Sequence, residues 1–531
     1  MTRSQGYRAP AQPLRQLGRL APFLPLLLSA APRSFLAHDE GYYALQARWI
    51  QQSGQWLAPL WWDQPLYDRT IGAPWLIATS QQLLGASAWA AHLPSLLAAA
   101  ASLVITAQLG RQLLGPGMGW LSALLLALTP LWINYAHQAS QDMPLLALEL
   151  LGLLALLRAI PGAAPFWAPL AGLWLGPAFL VKGFMVALPA AALLPLLLLK
   201  RRWLLRQWHF WAALALGWLP AALWLGLSLQ RYGAGVVGGL VDKLLFLSHS
   251  DAYAAGPLYY LWNIPANTAP WSLAALAGLA LGWRHWRGEQ RLVLLVVPLL
   301  LLLLLSGFRT KTPYYGLQLT PFLALWGAAA LQRFAATGKA RPRWLAWALA
   351  GLGALLLLTG AALLWPGGGL AITVPPLSSG VLAAAALALG LSWLLLPRQH
   401  QPKWVLTALL LGPWLALVLL VQAGLFSDRS PLQRLALEAP AIQAALHQGP
   451  VAVIAPEPLS GEAHSQLILV ALGSPQLGPR LQRLEQLPAG QWAWIQRDQQ
   501  PAEGEAGLST LAAGDDLAPW TLVRRNPASP R

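Results

Sequence analysis

Cysteine is absent from this chain of 531 residues. Its absence excludes disulfide bonds, a catalytic thiolate and any metal site that is built from cysteine ligands. It does not fix the compartment in which the protein works, since proteins on either side of a membrane can fold without disulfides.

Charged residues are also scarce, at 10% of the chain, whereas 56% of the residues are hydrophobic and the mean hydropathy is +0.50. Apolar runs of about 18 or more residues recur, and each can cross a hydrocarbon core of roughly 30 Å. A span must satisfy its own backbone hydrogen bonds in lipid, so the spans are helices. Leucine and alanine dominate, with few β-branched residues, which agrees with helices. The sequence therefore predicts an all-α polytopic membrane protein.

About thirteen spans are predicted, and the first apolar stretch is interpreted as span one and not as a cleavable signal peptide. The first span is short and rich in proline, and two later spans are separated only by Lys182 and Gly183. The spans cover approximately residues 14–35, 86–109, 118–136, 143–160, 165–181, 184–200, 208–229, 264–283, 292–306, 314–333, 344–365, 379–396 and 404–425.

Basic residues are distributed unevenly along the predicted topology. With the amino terminus in the cytoplasm, cytoplasmic segments hold 19 of the 35 Lys and Arg residues, and the outer segments before the tail hold 8. This bias follows the positive-inside rule. The net charge of +16 is therefore interpreted as membrane topology and not as nucleic-acid binding. Of the acidic residues before residue 427, only Glu289 is cytoplasmic, so the outer loops carry a mixed-charge cluster that is typical of a site.

The tail, residues 427–531, is richer in Gln, Glu, Asp and Pro than the rest of the chain. Strand-like runs at Val451–Ala455, Gln491–Gln496 and Trp520–Arg524, with a helix at about Leu432–His447, predict a small extracytoplasmic α/β domain. The remaining residues, 1–426, are predicted to form the transmembrane domain, whose first outer loop covers residues 36–85. The tail shows no residue that indicates catalysis.

The densest polar stretch outside the tail is Leu36–Leu76, which follows the first span. It carries the pair Asp39-Glu40 and the pair Asp68-Arg69, and seven aromatic residues lie from Tyr42 to Tyr67. Charge at the edge of a membrane marks a candidate site. A carboxylate there can act as a general base or position an acceptor hydroxyl or amine. The simpler alternative is that Asp39 only caps a helix.

Short motifs follow one another from this loop onward, and their order and spacing are more specific than any one of them. They are Asp39-Glu40 after span one, Ser53-Gly54-Gln55-Trp56-Leu57-Ala58-Pro59, Tyr67-Asp68-Arg69 leading to Trp75, Ala91-His92-Leu93-Pro94-Ser95, Asp142-Met143-Pro144, Val181-Lys182-Gly183, His249 with Tyr259-Tyr260 and Pro270-Trp271, and Lys311 with Tyr315, Leu317 and Pro321. Over about residues 10–425 this series resembles the GT-C class of polyprenyl-phosphate-sugar-dependent glycosyltransferases. It is most similar to the family of protein O-mannosyltransferases and the aminoarabinose transferase that modifies lipid A.

The chain departs from the pattern of that family at several positions. Arg69 stands in place of a lysine, and Thr70 and Ile71 stand in place of prolines. His92 stands in place of an arginine, and Leu317-Gln318 in place of Leu-Pro. An arginine binds phosphate in bidentate fashion, so binding of the donor is expected to survive the change at residue 69.

The resemblance implies a GT-C fold and the transfer of a sugar from a polyprenyl-phosphate carrier to an acceptor, with inversion at the anomeric carbon. The leaving group is a lipid phosphate, so cations must hold the charge that develops on its oxygens. The implied catalytic residues are Asp39, Glu40 and Asp142. The implied ligands of the donor phosphate are Arg69, Lys311, Tyr315, Tyr67, His249 and Lys182. Simpler roles stay open, such as anchoring at the ends of spans for the cations and interfacial packing for the tyrosines.

No cofactor is required by this interpretation, in which the polyprenyl-phosphate sugar is the donor substrate. Metal-ligand spacing is not seen near the candidate site, although Asp39, Glu40 and Asp142 could converge on a divalent cation. The expected partners are the lipid bilayer, the donor and an acceptor that is a lipid, a glycan or a protein, with no nucleic acid. The expected location is the plasma membrane, the inner membrane in a bacterium, with several passes.

Two other classes of function compete with a transferase. A transporter or flippase for lipid or glycan would place its binding groups near the middle of the bilayer, often within inverted repeats. The ionisable groups of this chain cluster at the outer ends of spans and no repeat is evident, which favours an enzyme at the membrane surface. A structural or assembly protein would not need the mixed-charge outer loops.

Overall fold

The computed structural model describes residues 20–28, 33–62, 64–162, 165–249, 254–336, 343–365, 377–455, 459–500, 508–511 and 514–526. Within these ranges the side chains of Asp39 and of residues 247–249 lie outside the description. Two of the candidate side chains, Asp39 and His249, are therefore outside the part of the chain that is described.

The first outer loop begins after a short apolar turn and helix, Ala21–Phe23 and α1 (Leu24–Leu28). A π-helical turn, Ala37–Gly41, leads directly into α2 (Tyr42–Ser53). The helix α2 ends at Gly54, whose φ of 67° is left-handed and whose N–H bonds the Ile50 carbonyl, as glycine permits at a helix C-terminus. The loop then forms a hairpin of two short strands and enters a further helix. These elements are β1 (Leu60–Trp61), β2 (Gln64–Pro65) and α3 (Gly72–Leu84).

The membrane domain continues with seventeen described helices. They are α4 (Ala88–Leu114), α5 (Met118–Ala127), α6 (Pro130–Ala136), α7 (Asp142–Arg158), α8 (Trp167–Leu173), α9 (Leu175–Lys182), α10 (Ala187–Lys200), α11 (Trp208–Tyr232), α12 (Gly235–His249), α13 (Tyr259–Asn267), α14 (Trp271–His285), α15 (Gly288–Arg291), α16 (Val297–Gly307), α17 (Thr320–Ala335), α18 (Arg343–Leu364), α19 (Ser379–Leu394) and α20 (Pro402–Gln422).

Seven helical segments in the described ranges are long and apolar enough to cross a membrane, or eight if the bent pair α5–α6 counts as one span. The seven are Ala88–Leu114, Trp167–Lys200, Trp208–Tyr232, Gly288–Gly307, Arg343–Leu364, Ser379–Arg398 and Pro402–Gln422. The expected count of about thirteen is therefore not confirmed. Apolar composition alone does not distinguish a helix that crosses the membrane from a shorter helix within the bundle. The helices α7 and α14 were both expected as spans, but they have only 17 and 15 residues. The two spans expected at 165–181 and 184–200 lie within one apolar run that a 3-10 turn, Gly183–Val186, interrupts.

The stretch expected as one span at 118–136 is bent by 71° between α5 and α6. Pro130 opens α6, and a proline there removes a backbone donor and disfavours helical geometry in the residue before it. The Thr129 hydroxyl donates to the Leu125 carbonyl at 2.7 Å, which satisfies an acceptor at the end of α5. The bend brings the end of α6 toward the start of α7, where the candidate site lies.

Glycines let the membrane helices approach one another closely. A Cβ atom added at Gly278 in α14 would lie 1.8 Å from the Trp326 carbonyl oxygen in α17. A Cβ at Gly176 in α9 would lie 1.9 Å from the Gly217 carbonyl oxygen in α11. Lipid tails are as apolar as the side chains, so the hydrophobic effect does not drive helices together in a membrane. Small residues at helix crossings allow the close van der Waals packing that does.

The tail forms the small α/β unit that the sequence predicted. Its described elements are α21 (Pro431–Leu437), α22 (Pro440–Leu446), β3 (Val451–Ile454), α23 (Gly461–Gly473), β4 (Leu477–Leu481), β5 (Trp492–Gln496), β6 (Leu508–Leu511) and β7 (Trp520–Arg525). The five strands are ordered β4-β3-β5-β7-β6, with β3 parallel to β4 and β5 and the other pairs antiparallel. The helix expected at Leu432–His447 is two helices, because Pro440 starts the second one. The boundary at residues 426 and 427 stays a prediction.

The tail packs on the first outer loop. Leu45 of α2 and Trp62 of the hairpin belong to the same buried cluster as Trp494, Trp520 and Leu522 of the tail. Arg48 donates to the Ser474 and Pro475 carbonyls at 3.3 Å, and Gln52 accepts from the Leu477 N–H at 3.1 Å. The loop and the tail therefore share one core at the same end of the membrane domain.

Candidate active site

The candidate site lies where the first outer loop meets the ends of several membrane helices. Asp142 is the first residue of α7, and Lys182 is the last residue of α9. Charges of these signs are favourable at those helix ends because of the helix dipole. Tyr315 lies in the 3-10 segment Pro313–Leu319 before α17, and Arg69 lies between β2 and α3.

Asp142 and Lys182 form a buried ion pair. The Lys182 ammonium donates to one carboxylate oxygen of Asp142, and the Ser140 hydroxyl donates to the other at 3.1 Å. Only 10% of the Asp142 side chain and 6% of the Lys182 side chain are exposed. The ammonium also lies 4.8 Å from the Tyr314 ring centre and 5.5 Å from that of Tyr315. Removing one partner would leave an uncompensated buried charge, so the two residues depend on each other.

Asp68 and Arg69 form a second ion pair that solvent reaches. Arg69 Nη2 lies 3.0 Å from Asp68 Oδ2, and about a quarter of each side chain is exposed, 24% and 23%. The Tyr42 hydroxyl donates to the Asp68 carboxylate at 3.2 Å. The guanidinium carbon of Arg69 lies 4.1 Å from the Tyr42 ring centre and 5.0 Å from that of Tyr43. The two tyrosine rings attract the guanidinium by cation–π interaction and so fix its orientation. About a quarter of the Arg69 side chain is still accessible to solvent.

Tyr43 lies beside Arg69, whose guanidinium carbon is 5.0 Å from the Tyr43 ring centre. Its phenol is also near enough to Asp68 and Asp142 for the charges of both carboxylates to act on it. Burial raises the pKa of the Tyr43 phenol above its ordinary value. The hydroxyl therefore stays protonated near neutral pH. Tyr43 thus links the region of Asp68-Arg69 to that of Asp142-Lys182.

Glu40 joins the first loop to the neighbouring helices. It is fully buried, and its carboxylate accepts from the Leu36 and Ala139 N–H groups. His92 Nε2 lies 2.9 Å from the same carboxylate, and His92 Nδ1 lies 2.7 Å from the Ala88 carbonyl oxygen. Both ring nitrogens of His92 therefore lie within hydrogen-bond distance of an oxygen, one on the carboxylate of the first loop and one on its own helix. Glu40 is thus enclosed by the first loop and α4, and its expected catalytic role stays a prediction.

Three further candidate ligands of the donor phosphate have other contacts. The Lys311 ammonium donates to the carbonyls of Leu305, Ser306 and Phe308, and so caps the C-terminal end of α16. Tyr67 packs against the Trp224 and Tyr232 rings of α11. Tyr315 packs edge-on against Tyr314, 4.8 Å between ring centres. Their expected roles in donor binding stay predictions, as do those of Asp39 and His249, whose side chains are not described.

The sequence did not single out Tyr42, Tyr43, Tyr314 or Lys243, although all four belong to this region. Lys243, on α12, lies close enough to Arg69 and Asp68 for their charges to act on it. One signal was available for Tyr43, which lies four residues after Asp39 and so one helical turn away. The general abundance of aromatic residues at membrane boundaries hid that signal.

Below the site, α7 carries a second buried carboxylate. Glu149 lies seven residues after Asp142, and Gln318 Nε2 donates to it at 2.7 Å. They line a narrow cavity of about 20 Å³ whose other walls are mostly leucine, proline and valine. That volume suits about one water molecule. Gln318 stands where the family pattern has a proline, and its side chain supplies the hydrogen bond to Glu149.

The described residues contain no group of three or more His, Asp or Glu side chains that could hold a metal ion. The Asp39 side chain lies outside that search, so a cation shared with Asp39 stays an open expectation. The donors present, guanidinium, ammonium and phenol, suit an anionic ligand.

A family profile described as dolichyl-phosphate-mannose-protein mannosyltransferase matches residues 68–225. Among curated proteins, the undecaprenyl phosphate-alpha-4-amino-4-deoxy-L-arabinose arabinosyl transferase of Pseudomonas aeruginosa (strain LESB58) is 29% identical over 309 residues, which cover 56% of this chain and 55% of that protein. The transferase of the same name from Pectobacterium carotovorum subsp. carotovorum (strain PC1) is 28% identical over 365 residues, 66% of this chain and 64% of that protein. The chain thus spans little more than half the length of the first of these relatives.

Two solved structures resemble the whole fold. ArnT from Cupriavidus metallidurans bound to undecaprenyl phosphate has a TM-score of 0.74 and 18% identity, and the match covers 98% of this chain and 100% of that one. The apo state of the same protein has a TM-score of 0.69 and 19% identity, with 97% and 98% coverage. The chain therefore has the GT-C fold seen in these two ArnT structures, and the sequence comparisons agree with the family resemblance that its motifs carry.

Proposed function

We propose that this protein is an integral-membrane glycosyltransferase that moves a sugar from a polyprenyl-phosphate donor to an acceptor at the outer face of the plasma membrane. The observation that carries the proposal is the arrangement around Tyr43. Tyr43 packs against Arg69 of the solvent-accessible ion pair Asp68-Arg69, and it is near the carboxylate of the buried ion pair Asp142-Lys182. Cations and carboxylates that meet where helices end, beside an open loop, suit a donor whose lipid stays in the membrane.

Arg69 is the proposed ligand of the donor phosphate. Its guanidinium is oriented by Tyr42 and Tyr43 and is still about a quarter exposed. A planar fork of donors fits two phosphate oxygens at once. Negative charge grows on those oxygens as the sugar–phosphate bond breaks, so a fixed cation there stabilises the transition state more than the ground state. Lys243 adds a second positive charge in the same region.

Asp39 is the proposed acceptor-facing base, on the strength of its place in the Asp39-Glu40 motif. In the proposed step an acceptor hydroxyl or amine attacks the anomeric carbon from the face opposite the phosphate. The bond from the anomeric carbon to the phosphate oxygen breaks, polyprenyl phosphate leaves, and the acceptor proton passes to Asp39. A single displacement of this kind inverts the anomeric carbon. Glu40 positions the turn that carries Asp39, and Asp142 orients Lys182.

The relatives support a donor on undecaprenyl phosphate, since both curated relatives are named for such a donor and the similar solved structure holds undecaprenyl phosphate. We propose the same carrier for this chain. The acceptor is a lipid, a glycan or a protein, and the amino terminus lies in the cytoplasm with the tail outside.

The test uses the native chain purified in detergent with a panel of undecaprenyl-phosphate sugars, the 4-amino-4-deoxyarabinose donor first, and a membrane extract as the source of acceptors. We expect release of undecaprenyl phosphate together with labelled acceptor. A chain that releases none from any donor, but moves undecaprenyl-phosphate sugar between the leaflets of vesicles, would be a flippase and the proposal would fail.

A further inference from the structure

A hydrogen bond inside the membrane domain joins two of the elements that enclose Lys182. One element is α7, whose first residue, Asp142, binds the Lys182 ammonium. The other is the 3-10 segment Pro313–Leu319, two of whose tyrosine rings have their centres 4.8 and 5.5 Å from that ammonium. Gln318 Nε2, in the same 3-10 segment, donates to the Glu149 carboxyl group of α7 at 2.7 Å. The Glu149–Gln318 pair therefore holds two of the walls around Lys182 against each other.

The pair lies in apolar surroundings. Glu149 and Gln318 are each 7% exposed, and they are the two polar side chains among the residues that line the narrow cavity below the site. Lys182 and Asp142 are the charged residues whose fields reach Glu149, and they are already paired with each other. An ionised Glu149 would thus be a buried charge without a counter-charge of its own, which is costly.

Gln318 Oε1 is a buried acceptor that receives no hydrogen bond from the described residues. A carboxyl group that carries a proton can donate as well as accept, whereas a carboxylate only accepts. A protonated Glu149 side chain can therefore donate to Gln318 Oε1 while it accepts from Gln318 Nε2. The two planar groups then form a cyclic pair with two hydrogen bonds.

A water molecule in the cavity is the alternative donor to Gln318 Oε1. The cavity volume of about 20 Å³ is enough for one water, but a buried water usually makes about three hydrogen bonds. The other side chains that line the cavity are apolar, so such a water would have few partners. A proton on Glu149 satisfies the same acceptor without a further partner.

We infer that Glu149 is a neutral carboxylic acid and that, paired with Gln318, it is a positioning residue for Lys182. The proton supplies the second hydrogen bond, and two bonds between planar groups fix their relative orientation. The pair acts through Lys182, a proposed ligand of the donor phosphate, so its effect on turnover rests on the proposed function. The proline that the family pattern has at residue 318 carries no side-chain amide and cannot form this pair.

Infrared spectroscopy of the native chain and of Glu149→Gln at neutral pH tests the proton without any turnover. A protonated carboxyl group absorbs at a higher frequency than a carboxylate, so we expect a carboxyl band in the native-minus-variant difference spectrum. Glutamine has the shape of the neutral acid and can pair with Gln318 in the same way, so both proteins are expected to unfold at the same temperature. Carboxylate bands in the difference spectrum would overturn the inference, whether the protein is active or not.

Turnover of the undecaprenyl-phosphate sugar that the native chain uses separates positioning from packing. Gln318→Leu removes both hydrogen bonds, and we expect kcat/KM for the donor to fall about ten-fold. Glu149→Gln should retain most of the native value. The matched control is Leu153→Ala, which enlarges the same cavity one turn further along α7 and removes no polar group. It should lower the unfolding temperature and leave kcat/KM native.

The outcomes distinguish the positioning role from the proposed function. In an active protein, native kcat/KM in Gln318→Leu, or an equal loss in Leu153→Ala, would overturn the positioning role while the proposed function stands. A native chain that turns over no donor would overturn both, whereas the infrared result for the Glu149 proton is independent of turnover.

Discussion

Arg69 is a solvent-accessible cation of the site, and its aromatic neighbours orient it. We predict that Arg69→Ala lowers kcat on the order of 100-fold, as loss of one donor to a developing oxyanion does in other enzymes. Arg69→Lys should retain part of the activity, because the positive charge remains but the planar pair of N–H donors that binds two phosphate oxygens is lost. Release of undecaprenyl phosphate measures both. Arg202→Ala, an exposed arginine after α10, is the control; equal losses in the control would contradict the role of Arg69.

Lys182 and Asp142 are buried together, and each neutralises the other. We predict that Lys182→Met lowers the free energy of unfolding by about 3–5 kcal/mol, because the Asp142 carboxylate is left without a counter-charge. The double variant Lys182→Met/Asp142→Leu should regain most of that stability, yet stay inactive. Thermal unfolding in detergent and donor turnover give the two readouts. A stable single variant would mean that the pair is not coupled.

At the scale of elements, Glu40 and His92 tie the first outer loop to α4. We predict that His92→Leu costs about 1–3 kcal/mol, since the buried carboxylate loses a hydrogen bond. His92→Arg restores the residue of the family and can also donate to Glu40, so its loss should be smaller. Limited proteolysis of the loop measures the difference. Equal cleavage of native and His92→Leu protein would show that the contact does not hold the loop.

The crossing of α14 and α17 depends on a glycine. We predict that Gly278→Ala is destabilising, because the new Cβ would meet the Trp326 carbonyl at 1.8 Å and the helices would have to separate. Gly351→Ala in α18 is the control, since a Cβ there meets nothing within 4 Å. A helical alanine in open space is neutral or stabilising by up to about 1 kcal/mol. Comparable loss of thermal stability in both variants would argue against close packing as the cause.

At the scale of the whole molecule, the absence of cysteine makes topology directly measurable. Single substitutions Ser53→Cys and Gln499→Cys lie on the loop and the tail, and Arg202→Cys and Lys403→Cys lie at segments expected in the cytoplasm. In right-side-out vesicles we expect a membrane-impermeant maleimide to label the first two and to reach the others only after permeabilisation. Labelling of Arg202→Cys from outside would reverse the orientation.

Charged residues of the site could be predicted from the sequence because charge is rare in this chain. In a chain that is 10% charged, Asp142, Lys182 and Arg69 stand out, and the structure pairs Asp142 with Lys182 and places Arg69 against Tyr43. The aromatic residues of the site could not be predicted in the same way, because tyrosine is common at membrane boundaries in general. The bend before Pro130 was not predicted, because the hydrophobicity of a stretch of sequence does not show whether its helix is straight or bent. The buried cluster that contains Trp62, Trp494 and Trp520 brings together residues more than 400 positions apart, which no local sequence pattern encodes.

Donor turnover by Asp39→Asn tests the proposed catalytic role of Asp39. The substitution keeps the size of the side chain and removes its ability to take a proton. We expect the variant to fold, to bind the undecaprenyl-phosphate sugar that the native chain uses, and to release almost no undecaprenyl phosphate. Full activity in Asp39→Asn would show that Asp39 takes no part in catalysis, and Asp142 would be the next carboxylate to test.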